Sequence, residues 1–591
     1  MTEVSNLKLT IFATTDVHGA IYPFNYFKGE KKETGLLKFK YYIENYKKNH
    51  PDEIVLTVDN GDLLQGDVWS EYDSVHRDAP LLPAIINDMY DVIGLGNHEF
   101  NFGLPFLSDF YNQVKIPVLN SNVDFLHGDL GNLIKKSMIK TIDTKFGPLK
   151  IGFLSVVPTQ IMKWDKFNLT GRVKVSPMPE AVTKTAEDLK RQGADLIILL
   201  SHSGMSAKED DQVALGENQA MRMALVTSID GIVLGHTHDL FPHESMMIDD
   251  ERLNMDEGTF NEVPMVQPGV SASHLGVLKF DLDEDKRLKS ASGQLISGES
   301  IEDSDDYLLN YEHDHEQVLS YLEETVGYTR EALQTYFARV IPSRAVQIVS
   351  EAVVWFAEGL EAVKKENLPI LGFNSAIKTG RDGVKDFTDI PVGKLTVADT
   401  IDLYKHANTT VIIKINGKVL KEWLEWSASS FNQVGASSLI KSNHSRDGFP
   451  GYNFDTFFDL DYTFDLSQPA RYHSSAHQIS DARRLVEVKY KGIEVKDDEE
   501  FLVPANNYKV AYAPFLRDAE IVYESSKSIR DILNDFIKRE KDFIDKQPMT
   551  LIPEGEYQFV TATKGKYHLE NLPINHVRDH GDGLSTFQVT L

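Results

Sequence analysis

Residues 10–19 read TIFATTDVHG, an apolar, strand-like run that ends in Asp16 and His18. The same pattern, in which an apolar run gives way to Asp, Asn or His, recurs four more times in the first half of the chain. The other four stretches are IVLTVDNGDLLQG (54–66), DVIGLGNHEFNFG (91–103), LIILLSHSG (196–204) and GIVLGHTHD (231–239). Because the carboxyl ends of strands in a sheet-based α/β fold share one edge, we predict that these five clusters converge on a single site.

Helical patterns alternate with these apolar runs, which predicts an α/β layer fold for the first part of the chain. Residues 179–200, PEAVTKTAEDLKRQGADLIILL, illustrate the pattern. Pro179 marks the start of an amphipathic helix, Gly193 marks its end, and a buried strand follows.

The pattern changes near residue 330. Residues 312–325, EHDHEQVLSYLEET, predict a connecting helix, and residues 347–363, QIVSEAVVWFAEGLEAV, predict a helix that opens a second unit. Further on, TTVIIKINGKVL (409–420) predicts a strand followed by an Asn-Gly turn. We therefore predict an α/β domain over 1–304, a connecting helix or linker over 305–328, and a separate α+β domain over 329–591.

Composition restricts the classes of partner. With 89 acidic and 61 basic side chains, the chain has a formal charge of −28, which disfavours binding to a nucleic-acid polymer. Small phosphorylated ligands stay possible, because metal ions or a few local basic residues can outweigh that field inside one cleft. The chain has no cysteine, which excludes thiolate nucleophiles and sulfur-ligated metals.

The start of the chain lacks the pattern of a signal peptide, and no stretch approaches about 18 uninterrupted apolar residues. We therefore expect no membrane partner. We expect a cytoplasmic protein from the sequence as given, or alternatively a secreted or surface protein given as its mature chain. We also expect a monomer.

The five clusters carry carboxylate, amide and imidazole groups in the number that two divalent ions need. A lone Asp-x-His or His-x-His pair is usually a surface pair, whereas five clusters in order, each after a predicted strand, favour a metal site. One carboxylate would bridge the two ions. A water molecule activated opposite it would attack phosphorus in line. Ligands without sulfur suit manganese, zinc, cobalt or iron. The candidate ligands are Asp16, His18, Asp62, Asn97, His202, His236 and His238.

At these residues the sequence resembles the calcineurin-like metallophosphoesterases, specifically the 5′-nucleotidase family, and within it the bacterial 2′,3′-cyclic-nucleotide 2′-phosphodiesterase/3′-nucleotidase branch. The resemblance spans nearly the whole chain. It implies a four-layer α/β sandwich followed by an α+β substrate-binding domain. It is carried by DNGDLLQG, GNHEFNFGL, VVPTQIMKWDKFNLTG, TDIPVGKLTVADTIDLY, WLEWSASSFNQV and FDLSQPARY.

The resemblance also implies roles for the candidate ligands. Asp16, His18, Asp62 and His238 would hold one ion, while Asn97, His202 and His236 would complete the second, with Asp62 bridging the two. His98 is similar to the family's catalytic histidine, which stabilises or protonates the departing oxygen.

Position 101 departs from many 5′-nucleotidases, which read GNHEFD and place an Asp there. Asn101 can orient His98 but supplies no charge to its ring. The cyclic-nucleotide branch shares this Asn, so the difference favours that branch over the 5′-nucleotidases.

In the family, the C-terminal domain stacks the base between two aromatic rings. Tyr508, in NNY, matches one ring by position. The other lies in PGYNFDTF, where Tyr452 and Phe454 would face the same way on a strand, so either could serve. Lys378 and Arg381, in FNSAIKTGRDGVKD, are candidate phosphate-binding residues, although an exposed basic turn is the commoner explanation.

The resemblance implies a dimetal hydrolase of nucleotide phosphate esters, with 2′,3′-cyclic nucleotides and 3′-nucleotides as substrates. A 5′-nucleotidase or UDP-sugar hydrolase is the alternative among enzymes. A nucleotide-binding surface protein is the non-enzymatic alternative, and the intact set of ligands together with His98 argues against it.

Overall fold

The structure, a computed structural model, describes residues 6–26, 29–206, 215–302, 304–406, 408–441, 448–539 and 545–591. The chain forms two compact units, residues 1–321 and 322–591. The division falls inside the segment 305–328 that the sequence assigned to a connection, and residues 305–321 belong to the first unit. Within the described residues, no helix combines the length and the apolar character needed to cross a bilayer.

Two β-sheets form the centre of the first unit. The first has seven strands, in spatial order Leu288–Ser297, His274–Leu282, Leu7–Thr14, Ile54–Asp59, Val92–Gly94, Val118–Leu119 and Ile134–Lys135. The second runs Leu253–Asn254, Thr259–Phe260, Val263–Pro268, Gly231–Leu234, Leu196–Ser201, Leu149–Val156 and Ser137–Ile142, with Leu240–Phe241 paired to Val263–Pro268. Shorter pairs join Phe24–Asn25 to Glu30–Lys31 and Val123–Phe125 to Val173–Val175.

The two sheets pack face to face. Alternate residues of the strand Leu7–Thr14, among them Ile11 and Ala13, are buried in one apolar cluster with Phe153 and Leu200 of the second sheet. This alternation is the period of two that a strand imposes on its side chains. The buried layer between the sheets is therefore built from every second residue of the predicted strands.

A helix covers each outer face. Phe12 points away from the inner layer, and its ring lies 5.1 Å from that of Tyr46 on the helix Leu36–Asn49. On the other side, the helix Met178–Arg191 buries Val182 and Leu189 against the second sheet. The order is helix, sheet, sheet, helix, which confirms the predicted four-layer α/β sandwich.

The strands that precede the polar clusters run parallel within each sheet. Leu7–Thr14 is parallel to Ile54–Asp59, which is parallel to Val92–Gly94. In the second sheet, Leu196–Ser201 is parallel to Gly231–Leu234. Three clusters therefore follow strands of one sheet and two follow strands of the other, so they meet across the sandwich rather than along a single sheet.

The predicted helix after Pro179 is confirmed. It runs from Met178 to Arg191, and Gly193, with φ +88°, ends it in the left-handed conformation that glycine favours. The helices of the first unit are Leu36–Asn49, Val68–Val75, Leu82–Met89, Gly103–Tyr111, Leu130–Leu133, Ile161–Trp164, Lys166–Leu169, Met178–Arg191, Ala220–Met223, Asp305–Leu308 and Glu312–Leu322, with 3₁₀ turns at His98–Phe100, Gly298–Ser300 and Leu309–Tyr311.

The second unit is an α+β domain, as predicted. Its helices are Arg344–Glu358, Glu361–Glu366, Val397–Leu403, Gly417–Ala428, Asn507–Tyr512 and Ile529–Ile537, with 3₁₀ turns at Gly451–Asn453, Pro514–Leu516 and Thr563–His568. Its sheets, in spatial order, are Glu500–Asn506, Thr409–Asn416 and Glu520–Ser528; Ile493–Glu494, Leu485–Tyr490, Leu460–Asp465 and Met549–Ile552; and Glu556–Ala562, Leu584–Thr590 and Ile574–Asp579. Shorter pairs join Thr325–Thr329 to Gly393–Thr396, Leu333–Gln334 to Asp389–Ile390 and Phe373–Ser375 to Asp455–Phe457.

The Asn-Gly pair at 416–417 is not a hairpin turn, so that prediction was wrong. Asn416 ends the strand Thr409–Asn416 and caps the helix Gly417–Ala428, where its Oδ1 accepts the N–H of Val419 at 3.0 Å. Asn serves both turns and N-caps by the same local acceptor chemistry. The apolar periodicity after Gly417 decides for the helix, which buries Leu420, Trp423 and Leu424.

Asn416→Ala should weaken this helix start by about 1 kcal/mol, which corresponds to a fall of about 2 °C in the Tm of the second unit. Asn416→Asp keeps the acceptor and should leave Tm nearly unchanged. Scanning calorimetry measures both. An Ala variant with the Tm of the parent protein would contradict the capping role.

Candidate active site

The five polar clusters meet in one place in the first unit. His202 Nε2 lies 3.0 Å from Asp62 Oδ2 and 3.8 Å from Asp16 Oδ1. His238 Nε2 lies 3.5 Å from Asp16 Oδ1 and 3.3 Å from His18 Nε2. Asp62 Oδ2 is in turn 3.9 Å from His18 Nε2. These five side chains thus surround a shared space.

The remaining two candidate ligands adjoin the same group. His236 Nδ1 is 2.7 Å from Asn97 Oδ1, and the His236 N–H of the main chain donates to Asp16. The ring of His236 lies 5.6 Å from that of His202. The structure therefore brings together all seven residues that the sequence singled out as ligands.

Several of these side chains stand on residues whose backbone is in the left-handed conformation. Non-glycine residues seldom adopt positive φ, and such strain concentrates at functional sites. Here it occurs at five of the seven candidate ligands, with φ of 48°, 50°, 57°, 75° and 61° at Asp16, His18, Asp62, His236 and His238. In both Asp-x-His and His-x-His, each of the two ligand residues turns in this way.

Neighbouring acceptors fix which ring nitrogen points inward. The Nδ1–H of His18 donates to the Gln65 carbonyl at 2.6 Å, and that of His202 donates to the Asn60 carbonyl at 2.9 Å. Each ring therefore keeps a proton on Nδ1 and turns Nε2 towards the carboxylates, so in the neutral form Nε2 is the nitrogen that can bind a cation. An imidazole held in this way by a second acceptor is the arrangement typical of metal-bound histidine.

The carboxylates of Asp16 and Asp62 are fully buried. Burial would raise the pKa of each carboxyl, but His202 and the other histidines outweigh it and hold both pKa values below their usual range. Burial would likewise lower the pKa of His202, yet Asp62 and Asp16 raise it to about 10. Both carboxyls are therefore ionised near neutral pH, the form in which a carboxylate binds a divalent cation.

The donor set fits divalent metal ions. The buried atoms Asp62 Oδ2 and His202 Nε2 lie 3.0 Å apart without hydrogen-bond geometry, and in the described part of the chain neither has a hydrogen-bond partner, although such atoms normally have one. Gly96 leaves room beside them, since a Cβ at this position would collide with Asp62 and with the ring of His202. Oxygen and imidazole ligands without sulfur are those that manganese, zinc, cobalt and iron accept.

Glu99 links the loop that carries Asp62 to the loop that carries Asn97. Its buried carboxylate accepts the main-chain N–H groups of Asp62 and Gly96 at 2.8 and 2.6 Å through one oxygen. Its other oxygen accepts those of Leu63 and Leu64 at 2.8 and 3.3 Å. This role of Glu99 was not predicted from the sequence, although Glu99 directly follows His98 in the cluster GNHEF.

His98 lies beside the ligands and is held from both sides. Its main-chain N–H donates to Asp62 Oδ1 at 2.7 Å. Its Nδ1 lies 2.6 Å from Asn101 Oδ1, so Asn101 does orient the ring. The Asn101 amide in turn donates to both oxygens of Asp165, at 3.0 and 3.2 Å. Burial raises the pKa of Asp165 to about 6.

Two family models match the chain: calcineurin-like phosphoesterase over residues 9–240, and the 5′-nucleotidase C-terminal domain over residues 346–518. A 2′,3′-cyclic-nucleotide 2′-phosphodiesterase/3′-nucleotidase of Haemophilus influenzae is 33% identical over 90% of this chain and 85% of its own length. The chain belongs to this family of calcineurin-like phosphoesterases.

One further protein and one solved structure are similar to the chain. The trifunctional nucleotide phosphoesterase protein YfkN of Bacillus subtilis is 33% identical over 90% of the chain, but the chain spans only 38% of its length. The crystal structure of a putative 5′-nucleotidase from Staphylococcus aureus shares the fold, with a TM-score of 0.67 and 21% identity over 92% of this chain and 99% of that one. The phosphoesterase family model and the Haemophilus influenzae relative show that the protein is a hydrolytic phosphoesterase, and its family implies divalent metal ions at the Asp and His cluster.

The second unit of the phosphoesterase contains a pocket of about 360 Å³. Tyr452, Tyr508 and Arg381 all line it. Tyr508 is about half exposed, and the Arg381 guanidinium lies 5.0 Å from the centre of the Tyr452 ring. Three of the five predicted substrate-binding residues therefore share one surface.

Phe454 and Lys378 have other environments. Gly451–Asn453 is a 3₁₀ turn and the strand begins only at Asp455, so Tyr452 and Phe454 do not face the same way as a strand would have placed them. Phe454 is 1% exposed and packs in the core. Lys378 forms an ion pair with Asp402. Of the two aromatic candidates, only Tyr452 can reach a ligand.

A buried ion pair connects the two tyrosines of the pocket. Lys509, which follows Tyr508 on the helix Asn507–Tyr512, donates to Asp455 Oδ2 and to the Tyr452 carbonyl, each at 2.9 Å. Trp423 Nε1 donates to the same Asp455 oxygen at 2.7 Å. Lys509 and Asp455 were not predicted from the sequence, although they directly follow the candidates Tyr508 and Phe454.

Glu99→Gln should loosen both ligand loops, because the amide group of Gln cannot accept N–H groups through its nitrogen. We expect metal affinity to fall about 10- to 100-fold and the unfolding free energy by about 1–3 kcal/mol. Metal titration and urea unfolding measure the two effects. Glu187→Gln, on the exposed side of the helix Met178–Arg191, is the matched control and should change neither; parental metal affinity in Glu99→Gln would refute the role.

Proposed function

We propose that this phosphoesterase hydrolyses 2′,3′-cyclic nucleotides to 3′-nucleotides and then hydrolyses the 3′-nucleotides. One observation carries the proposal: the seven-ligand cluster adjoins a histidine whose partner is Asn101, the residue that the cyclic-nucleotide branch carries where many 5′-nucleotidases have Asp. The identity to the Haemophilus influenzae relative over 90% of the chain supports the same substrates.

We assign two divalent ions to the cluster, with Asp62 as the shared ligand. Asp16, His18 and His238 offer one group of ligand atoms within 4.8 Å of one another, and Asp16, Asp62 and His202 offer a second. Asp62 Oδ2 lies 3.9 Å from His18 Nε2 and 3.0 Å from His202 Nε2, so it would reach a ligand of each proposed site. Asn97 and His236 complete the second site in this proposal. When bound, such ions lower the pKa of water and stabilise charge on phosphoryl oxygens. Manganese, zinc, cobalt or iron would suit these ligands.

His98 acts on the leaving group in this proposal. Its Nδ1–H is held by Asn101, so Nε2 is the nitrogen that can exchange a proton with substrate. A nucleoside alkoxide is a poor leaving group, and a proton supplied to the departing oxygen lowers the barrier. The hydrogen bond from the main-chain N–H of His98 to Asp62 Oδ1 keeps the ring beside the candidate metal ligands.

Base recognition belongs to the pocket of the second unit. Tyr452 and Tyr508 present two rings there, and stacking on aromatic rings accepts every base because each base has a π-face. Arg381 adds a guanidinium with paired donors for a phosphate or sugar oxygen. The Lys509–Asp455 pair holds the elements that carry the two tyrosines.

The substrate class is tested with the metal-stripped protein reloaded with Mn²⁺. Turnover of 2′,3′-cyclic AMP, 3′-AMP, 5′-AMP and a nucleotide sugar is followed by phosphate release and chromatography, and bound metal is counted. Preferred turnover of the first two, with 3′-AMP as an intermediate, is the expected result. Dominant hydrolysis of 5′-AMP or the nucleotide sugar would assign the protein to the alternative substrates.

Tyr508→Ala should raise KM for 3′-AMP about 5- to 100-fold, because the base loses a stacking partner worth about 1–3 kcal/mol. Hydrolysis of bis(p-nitrophenyl) phosphate, which has no base, should stay nearly unchanged. Tyr567→Ala removes a ring that is 76% exposed in the same unit and serves as the control. Equal losses on both substrates would contradict the stacking role.

A further inference from the structure

We propose that Asp165 is a positioning residue for His98 and acts through the side chain of Asn101. This inference rests on the proposed function, in which His98 protonates the leaving oxygen. It adds a carboxylate to the reaction that is separated from His98 by 67 residues in sequence and by one side chain in space.

The three groups form an unbroken chain of hydrogen bonds. The Asn101 amide bridges His98 and Asp165, with its Oδ1 2.6 Å from His98 Nδ1 and its Nδ2 3.0 and 3.2 Å from the two oxygens of Asp165. Asp165 is only 8% exposed. Its main-chain N–H donates to the Ile161 carbonyl at 2.9 Å, which fixes it between the helices Ile161–Trp164 and Lys166–Leu169.

The carboxylate determines which way the amide points. An ionised carboxylate can only accept hydrogen bonds, so Asn101 must turn its amide nitrogen towards Asp165. Its oxygen then faces His98 and can only accept, which requires the proton on His98 Nδ1. Asp165 thereby leaves Nε2 as the reacting nitrogen of His98. Without it, an amide at position 101 could be placed either way round.

The segment that carries Asp165 holds other parts of the same site. Asn168 Nδ2 donates to the Phe100 carbonyl at 2.9 Å and so supports the 3₁₀ turn His98–Phe100. The ring of Trp164 stacks on the candidate ligand His236, with centroids 5.3 Å apart. Residues 161–169 therefore pack beside the side chains of the site. The charge on Asp165 can polarise the Asn101 amide, because the two groups are in direct hydrogen-bond contact.

Asp165→Asn keeps the shape but replaces an acceptor by a group that both donates and accepts. We expect kcat for 3′-AMP to fall about 10- to 100-fold with little change in KM. Bis(p-nitrophenyl) phosphate releases a phenolate that departs without a proton, so its turnover should hardly change. Asp129→Asn, at an exposed site of the first unit, is the matched control for an Asp to Asn change. Metal content is measured for every variant.

A charge swap separates positioning from a structural role. Asn101→Asp combined with Asp165→Asn places a carboxylate directly on His98 Nδ1, and we expect it to recover most of the kcat lost in Asp165→Asn. Parental kcat for 3′-AMP in Asp165→Asn would overturn the proposal. So would an equal loss on both substrates that the swap does not recover.

His98→Asn distinguishes this inference from the function on which it rests. We expect it to reduce kcat for 3′-AMP at least as much as Asp165→Asn does. If His98→Asn turns over 3′-AMP normally, the proposed proton donor fails and the role of Asp165 fails with it. If His98→Asn is impaired and Asp165→Asn is not, only the role of Asp165 fails.

Discussion

Two carboxylates buried in the interior, Asp16 and Asp62, impose the condition that the rest of the first unit satisfies. An ionised carboxyl is costly to bury unless opposite charge and hydrogen-bond donors surround it. The carboxylates raise the pKa values of His202 and His238, which supply part of that charge, and divalent ions of the kind that the family implies would supply the rest. The left-handed backbone at five ligands is a second cost, of order 1–3 kcal/mol per residue, which only a rigid surrounding sandwich can sustain.

The two sheets contribute different parts of this arrangement. The first sheet ends in both carboxylates, His18, Asn97 and His98, whereas the second ends in His202, His236 and His238. Both carboxylates thus follow strands of one sheet and three of the four candidate histidine ligands follow strands of the other, so neither sheet alone carries the complete site. In the second unit, one buried ion pair, Lys509 and Asp455, likewise supports both tyrosines of the pocket.

Much of this could be predicted from the sequence, because the ligands follow apolar runs whose ends are easy to find. The role of Asp165 could not, because it depends on a contact between residues 64 positions apart. Glu99 was missed for another reason: it binds main-chain groups, which leave no trace in the side-chain pattern. Asn416 and Phe454 show the limits of local rules, since Asn-Gly suits a cap as well as a turn, and a 3₁₀ turn removed the alternation expected of a strand.

The four main-chain N–H groups that donate to the Glu99 carboxylate restrict the motion of the site. Loop amides usually exchange their hydrogens with solvent quickly, because loops open by small local fluctuations. The amides of Asp62, Leu63, Leu64 and Gly96 belong to loops, yet they point at one buried carboxylate. Their exchange requires two loops to separate together. The loops that carry catalytic side chains should therefore show the slow exchange of the central strands, and the site keeps its geometry between one turnover and the next.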